Sequence, residues 1–371
     1  MSPWLACPSM PLDDLLLRAF TDPAAVTGLG VGGWEALLAQ ARAANLTARL
    51  SYRIEDVGLF AALPDRVRTQ FAAARVAAES RRRALEWEVN RLRHVLTGTD
   101  CPILLLKGAA YAMAGLPLAR GRASVDIDIM VPRERLGKIE KHLVGHGWEP
   151  VELDPYDARY YRRWSHELPP LRHRDRGSEL DVHHTILPPL SRLRPDPAAF
   201  WRSAVPLADG SMAFCPTHMA LHAAVHLFQD GAIAGGLGDL VDFDELCRYF
   251  GRCPNYWQEL VSAAAELGLT RPLFYALRYA ALLLETPVPA AAAAAAARVG
   301  KPPAPLSATM DSLVCRSLVP ELREHRSPGG RLARWCLYIR SHWLRMPPLP
   351  LAAHLLRKAW ARRFAATSAA P

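Results

Sequence analysis

Asp126-Ile127-Asp128 is the segment of this chain whose residue types and spacing carry the most chemistry. Val125 to Val131 alternates strictly, with Val125, Ile127, Ile129 and Val131 on one side and Asp126 and Asp128 on the other. Side chains on a strand alternate faces, so the two carboxylates point the same way while the apolar back anchors them in a core. Oxygens so placed can share one or two divalent cations. Ionised carboxylates repel one another, so a cation or nearby arginines must accompany them in a partly buried site. Alone, such a pair is better read as an edge strand with two solvated aspartates; two further features change that. Asp181 lies in a second short alternating segment, Glu179-Leu180-Asp181-Val182-His183, which places Glu179, Asp181 and His183 on one face. Upstream, LLLKGAAYAMAG reads as a strand, a turn at Lys107-Gly108 and a helix. A glycine at such a turn lets backbone N–H groups approach a phosphate, and a following helix adds its dipole. Lys107, Arg120, Arg122 and Ser124 supply groups suited to polyphosphate oxygens.

The elements that must position these groups follow from hydrophobic period. From Pro11 to about Thr97 apolar residues recur at helical spacing, and the arginines of the last helix read as a solvated face paired with neighbours such as Glu88. Ile103 to Leu106, bounded by Pro102 and Lys107-Gly108, predicts a short buried strand, with a helix over Ala109 to Ala114. Pro132 closes the aspartate strand, a helical segment runs from Arg133 to about Gly145, and Val151 to Leu153 reads as a strand. This order of strand, helix, strand, helix and strands predicts a compact α+β core with a small mixed sheet. From Pro216 the helical period returns, and Ala290 to Ala297 reads as a helix started by Pro289. The expected organisation is a helical N-terminal segment over 1–98, the α+β core over 99–215 and a helical annex over 216–300. A Pro-rich, basic and aromatic segment over 301–371 completes it.

Composition bounds the possibilities. Half of the 371 residues are apolar and 22% are charged, the balance of an ordinary folded protein, which excludes disordered, collagen-like and coiled-coil readings. The seven cysteines are odd in number and scattered, with no C-x-x-C pair, so they read as reduced thiols in a cytoplasmic protein. MSPWLACPSMPLDDLLLRAF has neither a basic leader nor a signal-length apolar run, and no stretch reaches the roughly 20 apolar residues of a membrane-spanning helix. The formal charge of +9 allows contact with nucleic acid or anionic lipid.

Taken in order, the motifs resemble the nucleotidyltransferase superfamily that includes DNA polymerase beta, and most closely its uncharacterised bacterial nucleotidyltransferase branch. The resemblance rests on Lys107-Gly108-Ala109-Ala110, the loop Arg120 to Ser124, Asp126-Ile127-Asp128 and Leu180-Asp181-Val182-His183. It extends over roughly Pro102 to Glu285 through His222, His226 and Leu237 to Leu246. It implies that Asp126, Asp128 and Asp181 are catalytic and hold Mg²⁺, two ions in all, on an NTP such as ATP. Lys107, Gly108, Arg122 and Ser124 would bind the nucleotide, and His183 could touch substrate. A nucleoside monophosphate would pass to an unknown hydroxyl acceptor, whether protein, small metabolite or RNA. Two features depart from the pattern: Ala109 offers no hydroxyl where the usual turn is Gly-Ser or Gly-Gly, and the interval from Gly108 to Asp126 is long. They leave a catalytically inactive, antitoxin-like binding partner as an alternative, alongside a basic RNA-binding protein.

The remaining candidates have simpler readings. His218, His222 and His226 share a helix face but cannot all converge on one zinc, so packing or hydrogen bonding is expected. Asp239, Asp242 and Asp244 read as solvated or capping, although Asp242 could face the cleft. In the tail, Trp335, Tyr338, Trp343 and Trp360 alternate with Arg334, Arg340, Arg345, Arg357 and Lys358. Weak membrane or RNA contact would suit that pattern, but aromatics inward and arginines outward is the commoner arrangement.

Overall fold

The structure, a computed structural model, describes residues 14–346 except 125, 153–160, 162–164, 231–232 and 322–326, together with 351. The described residues build an α+β fold around one mixed sheet of seven strands. These are β1 (Leu104–Leu105), β2 (Asp126–Met130), β3 (Trp148–Pro150), β4 (Leu171–His173), β5 (Glu179–His183), β6 (Val205–Pro206) and β7 (Met212–Ala213). Their spatial order is β3-β4-β5-β2-β1-β7-β6. Central β2 pairs parallel with β5 and antiparallel with β1. Ile127, Ile129, Leu180 and Val182 are buried on the back of the β2–β5 pair, which sets its register, because a slip of one residue would turn them to the other face. In that register Asp128 stands opposite Asp181.

Helices from both ends of the chain flank the sheet. The N-terminal helices Leu15–Thr21, Val31–Ala43 and Thr47–Asp56 pack together and onto Asp65–Leu96, which contacts β2, while the annex helices Pro216–Val225, Leu237–Phe250, Tyr256–Glu266 and Thr270–Leu283 pack on one another. Leu16, Phe71, Ile129, Leu240 and Tyr279 belong to a single contiguous apolar core. The alanine run is a helix, Ala290–Gly300, that begins directly after Pro289 as expected.

Several details differ from the sequence reading. β1 is shorter than Ile103 to Leu106 and its helix starts at Lys107 instead of Ala109, spanning Lys107–Met113. Leu106 N–H reaches across to the Asp128 carbonyl at 2.9 Å, and Lys107 then turns the chain with a left-handed φ of 44°. The strand expected over Val151 to Leu153 ends at Pro150; Val125, Leu153 and most of the Asp154 to Ser165 stretch lie outside the described residues. Glu88 is not on a solvated face. It is buried, takes two N–H donors of Arg176 and the Ser178 hydroxyl, and so fastens the long helix Asp65–Leu96 to the β4–β5 turn. Glu79, with Arg82 and Arg83, does follow the surface pattern. In the helix Pro328–Arg345 the aromatics and arginines do not divide as expected: Trp335 and Trp343 are exposed, while Arg340 is half-buried and donates to the Phe228 carbonyl. Arg357, Lys358 and Trp360 lie outside the described residues.

Candidate active site

β2 and β5 deliver Asp126, Asp128 and Asp181 to one place, with a carboxylate oxygen from each within 4.8 Å of the others. Asp128 is buried and its two companions are half-buried. The site brings its own counter-charge. Lys107 Nζ donates to Asp128 Oδ1 at 2.8 Å and His183 Nε2 lies 3.0 Å from the same oxygen. Burial alone would push the Asp128 carboxyl up, but the Lys107 ammonium and the His183 imidazole outweigh it and hold it well below the usual carboxylate range. Both of these contacts go to Asp128, and among the described residues Asp126 and Asp181 have no ion pair. Asp181 is accordingly pushed up to about 6, first by burial and then by the charge on Asp128. Two half-buried carboxylates without an ion pair of their own, beside a third that is ionised, are a donor set for a hard divalent cation.

The elevated Asp181 fixes the sign of a pH effect. Its folded pKa lies above the unfolded value of an aspartate, so the native state holds more protons between about pH 4 and 6. Stability contributed by the protonated form is lost as pH rises through that window. Asp181→Asn is therefore expected to raise the melting temperature of the metal-free protein at pH 7.5 and to leave it nearly unchanged at pH 4.5. An equal shift at both values would contradict this account.

Gly108 faces a crowded neighbourhood. A Cβ there would overlap Arg122 Nη1 and Ser124 Oγ, and Ser124 accepts a hydrogen bond from that same Nη1. Ser124 thus places a hydroxyl beside the turn. Arg122 is set by three contacts: Nε donates to Asp242 Oδ2 at 2.9 Å, Nη1 reaches Ser124, and the guanidinium stands 5.6 Å from the Tyr111 ring centre. Gly108→Ala is expected to displace Arg122 and Ser124, costing about 1–3 kcal/mol by overpacking. Denaturant unfolding beside nucleotide titration would measure both effects; a variant matching the parent in each would show that the crowding relaxes freely.

The solvated reading of Asp242 and Asp244 does not hold. Asp242 is buried and accepts from both Arg49 and Arg122, while Asp244 accepts from Arg248 and the Thr286 hydroxyl. Asp242 lines an open pocket of about 210 Å³ with Arg49, Arg122, Gly236 and Asp239, a pocket that does not include the three aspartates of the cluster. Arg49 went unnoticed in the sequence because its helix, Thr47–Asp56, reads as amphipathic, yet it sits on the buried side with Leu50 and Ile54. Glu167, whose Oε2 is 3.3 Å from His183 Nδ1, had no signal at all. Arg120 does not join the site; it pairs with Glu55 and Asp56 over the Tyr52 ring. His218 and His222 pack as expected, His218 bonding the Ser203 hydroxyl against Phe200 and His222 lying against Phe214.

A match to the family described as an uncharacterised nucleotidyltransferase spans residues 32–285, and the chain belongs to that family. The match starts in the N-terminal helices, ahead of the Pro102 limit of the motif resemblance, and so takes in Arg49 as well as Asp242. No curated protein and no solved structure matches the chain.

Proposed function

We propose that the protein is a Mg²⁺-dependent nucleotidyltransferase that moves a nucleoside monophosphate from an NTP to a hydroxyl acceptor. The observation that carries this reading is the convergence of Asp126, Asp128 and Asp181 beside the Lys107-Gly108 turn, in a member of this family. Asp126, Asp128 and Asp181 would hold two divalent ions. Bound there, Mg²⁺ supplies charge neutralisation for the triphosphate and a lowered pKa for the acceptor hydroxyl. Lys107 keeps Asp128 ionised, and Arg122, held by Asp242, presents its guanidinium beside Ser124 over Gly108, where polyphosphate oxygens would be bound. Most of the catalytic effect is then positioning and charge compensation, with pyrophosphate leaving. The acceptor is a protein, a small metabolite or an RNA end. We place the reaction in the cytoplasm, in keeping with described cysteines that are all thiols. Among the described residues no helix is long and apolar enough to cross a membrane.

One observation favours a second reading. The Lys107 ammonium already sits on Asp128, which is what a catalytically silent binding partner would use to keep its acidic cluster folded without metal. Calorimetric titration with each of the four NTPs, with and without Mg²⁺, separates the two. Mg²⁺-dependent binding that Asp126→Asn/Asp128→Asn loses supports the transferase. No binding by the parent protein favours the silent partner.

A further inference from the structure

His183 has two ring nitrogens, and only one of them faces the acidic cluster. Nε2 meets Asp128, while Nδ1 points away from it toward Glu167, whose Oε2 is 3.3 Å distant. Glu167 Oε2 is also 3.8 Å from His166 Nε2. One ligand atom each from His166, Glu167 and His183 lie together within 4.8 Å. We propose that these three side chains form a second metal site, chemically distinct from the carboxylate cluster, that takes Zn²⁺ or a similar late first-row ion.

Three arguments support this. The first is donor chemistry. Two imidazoles and one carboxylate suit Zn²⁺, Co²⁺ or Ni²⁺, whereas Mg²⁺ and Ca²⁺ prefer all-oxygen sets such as Asp126, Asp128 and Asp181. The second is size. A tetrahedral ion with ligands at about 2.0–2.1 Å has ligand atoms roughly 3.4 Å apart. The two edges of this triangle that meet at Glu167 Oε2, 3.3 and 3.8 Å, are close to that before any ion has drawn them in. Three protein ligands would leave the fourth position for water or a substrate group.

The third argument is that the backbone fixes the cluster. Glu167 and His183 face one another in an antiparallel bridge, His184 N–H bonds the His166 carbonyl at 2.8 Å, and Leu168 N–H bonds the Val182 carbonyl at 2.9 Å. The segment from His166 to Leu168 therefore runs along β5 as an added strip of sheet. A bend at His166 brings its ring 5.2 Å from the His183 ring, tilted by 40°. All three donors are buried or nearly so. His183 would then bind metal through Nδ1 and donate Nε2–H to Asp128. That is the carboxylate–histidine–metal arrangement, which holds a ligating ring in one tautomer and orientation. The ion would sit directly behind Asp128 and hold the ring that holds the carboxylate.

The test uses Co²⁺, which gives intense visible absorption in a tetrahedral N/O site and only weak absorption in an octahedral oxygen site. Metal-free full-length protein titrated with Co²⁺ is expected to develop the intense bands at one equivalent and to lose them on adding Zn²⁺. His166→Ala and Glu167→Gln should each abolish the bands, with circular dichroism confirming the fold. Asp126→Asn should keep them, because it touches only the acidic cluster. Asp128→Asn should retain the bands but weaken binding by about 10–100-fold, the usual effect of removing an outer-shell partner. The proposal is overturned if the parent protein shows no tetrahedral bands. It is equally overturned if the bands survive His166→Ala and vanish in Asp126→Asn. None of these readouts depends on nucleotide transfer, so the proposal stands or falls apart from the transferase reading.

Discussion

Asp242→Ala is expected to lower the unfolding free energy by about 3–5 kcal/mol, read as a shift in the denaturant midpoint at unchanged slope. The expectation follows from what the carboxylate holds. Arg49 and Asp242 are both buried, and Arg122 joins them with its side chain four-fifths enclosed. Removing the shared acceptor leaves two guanidiniums in a site that water reaches poorly, and an unpaired buried charge costs more than the pair had contributed. Glu245 lies 3.8 Å from Arg49 and tempers the loss. Its carboxyl is pushed up to about 7 by burial, against the pull of Arg49, so it is a weak substitute at neutral pH. Against a typical domain stability of about 5–15 kcal/mol the predicted loss is large. Asp242→Asn, which keeps acceptor capacity without the charge, should fall between parent and alanine variant. A loss below about 1 kcal/mol for the alanine variant would mean that water or Glu245 relieves both arginines.

Asp126→Asn and Asp128→Asn are expected to reduce transfer by at least about 10²–10³-fold, the scale set by losing one group that stabilises developing charge. The two variants part company in stability. Asp126 is half-buried and has no ion pair among the described residues, so its neutral replacement should unfold at the parent temperature or above it. Asp128 is the buried acceptor for Lys107 and His183, and its replacement takes from the Lys107 ammonium its ion-pair partner, leaving only the more distant Asp126 and Glu167. The Asp128 variant should therefore lose both activity and several degrees of melting temperature. The geometry thus leaves the fold intact for Asp126→Asn and strains it for Asp128→Asn. Turnover assays and thermal unfolding on the same preparations decide it. Unchanged turnover in either variant would remove the transferase assignment, and equal stability would remove the Lys107 argument.

What could be read from the sequence is what neighbouring residues dictate to one another. The alternation in Val125 to Val131 and in Glu179 to His183 gave the faces of β2 and β5. Their buried backs then forced the register that joins Asp126, Asp128, Asp181 and His183. Lys107-Gly108 was legible as a turn for the same local reason. What escaped was partner choice between distant elements. Periodicity assigns a residue to a face, not to the side chain it meets, so Glu88 with Arg176, Glu167 with His183 and Arg49 with Asp242 could not be paired. Lys107 illustrates the difference: its type suits a phosphate, yet its ammonium lies on Asp128. The tail failed for another reason. Arginine carries an apolar stem, and with the Phe228 carbonyl to receive its head, Arg340 is half-buried while Trp335 remains outside.

The junction at Asp242 also bears on the order in which the chain assembles. Arg49 and Asp242 are 193 positions apart, and Arg122 and Asp242 are 120 apart. Closing loops of that length costs entropy before the contact forms, so the carboxylate is expected to meet its guanidiniums after the helices and the β1–β2 pair have formed. Interactions absent from the folding transition state alter the unfolding rate and leave the folding rate nearly untouched. Asp242→Ala is thus expected to speed unfolding far more than it slows folding, so that the junction governs how long the assembled site persists.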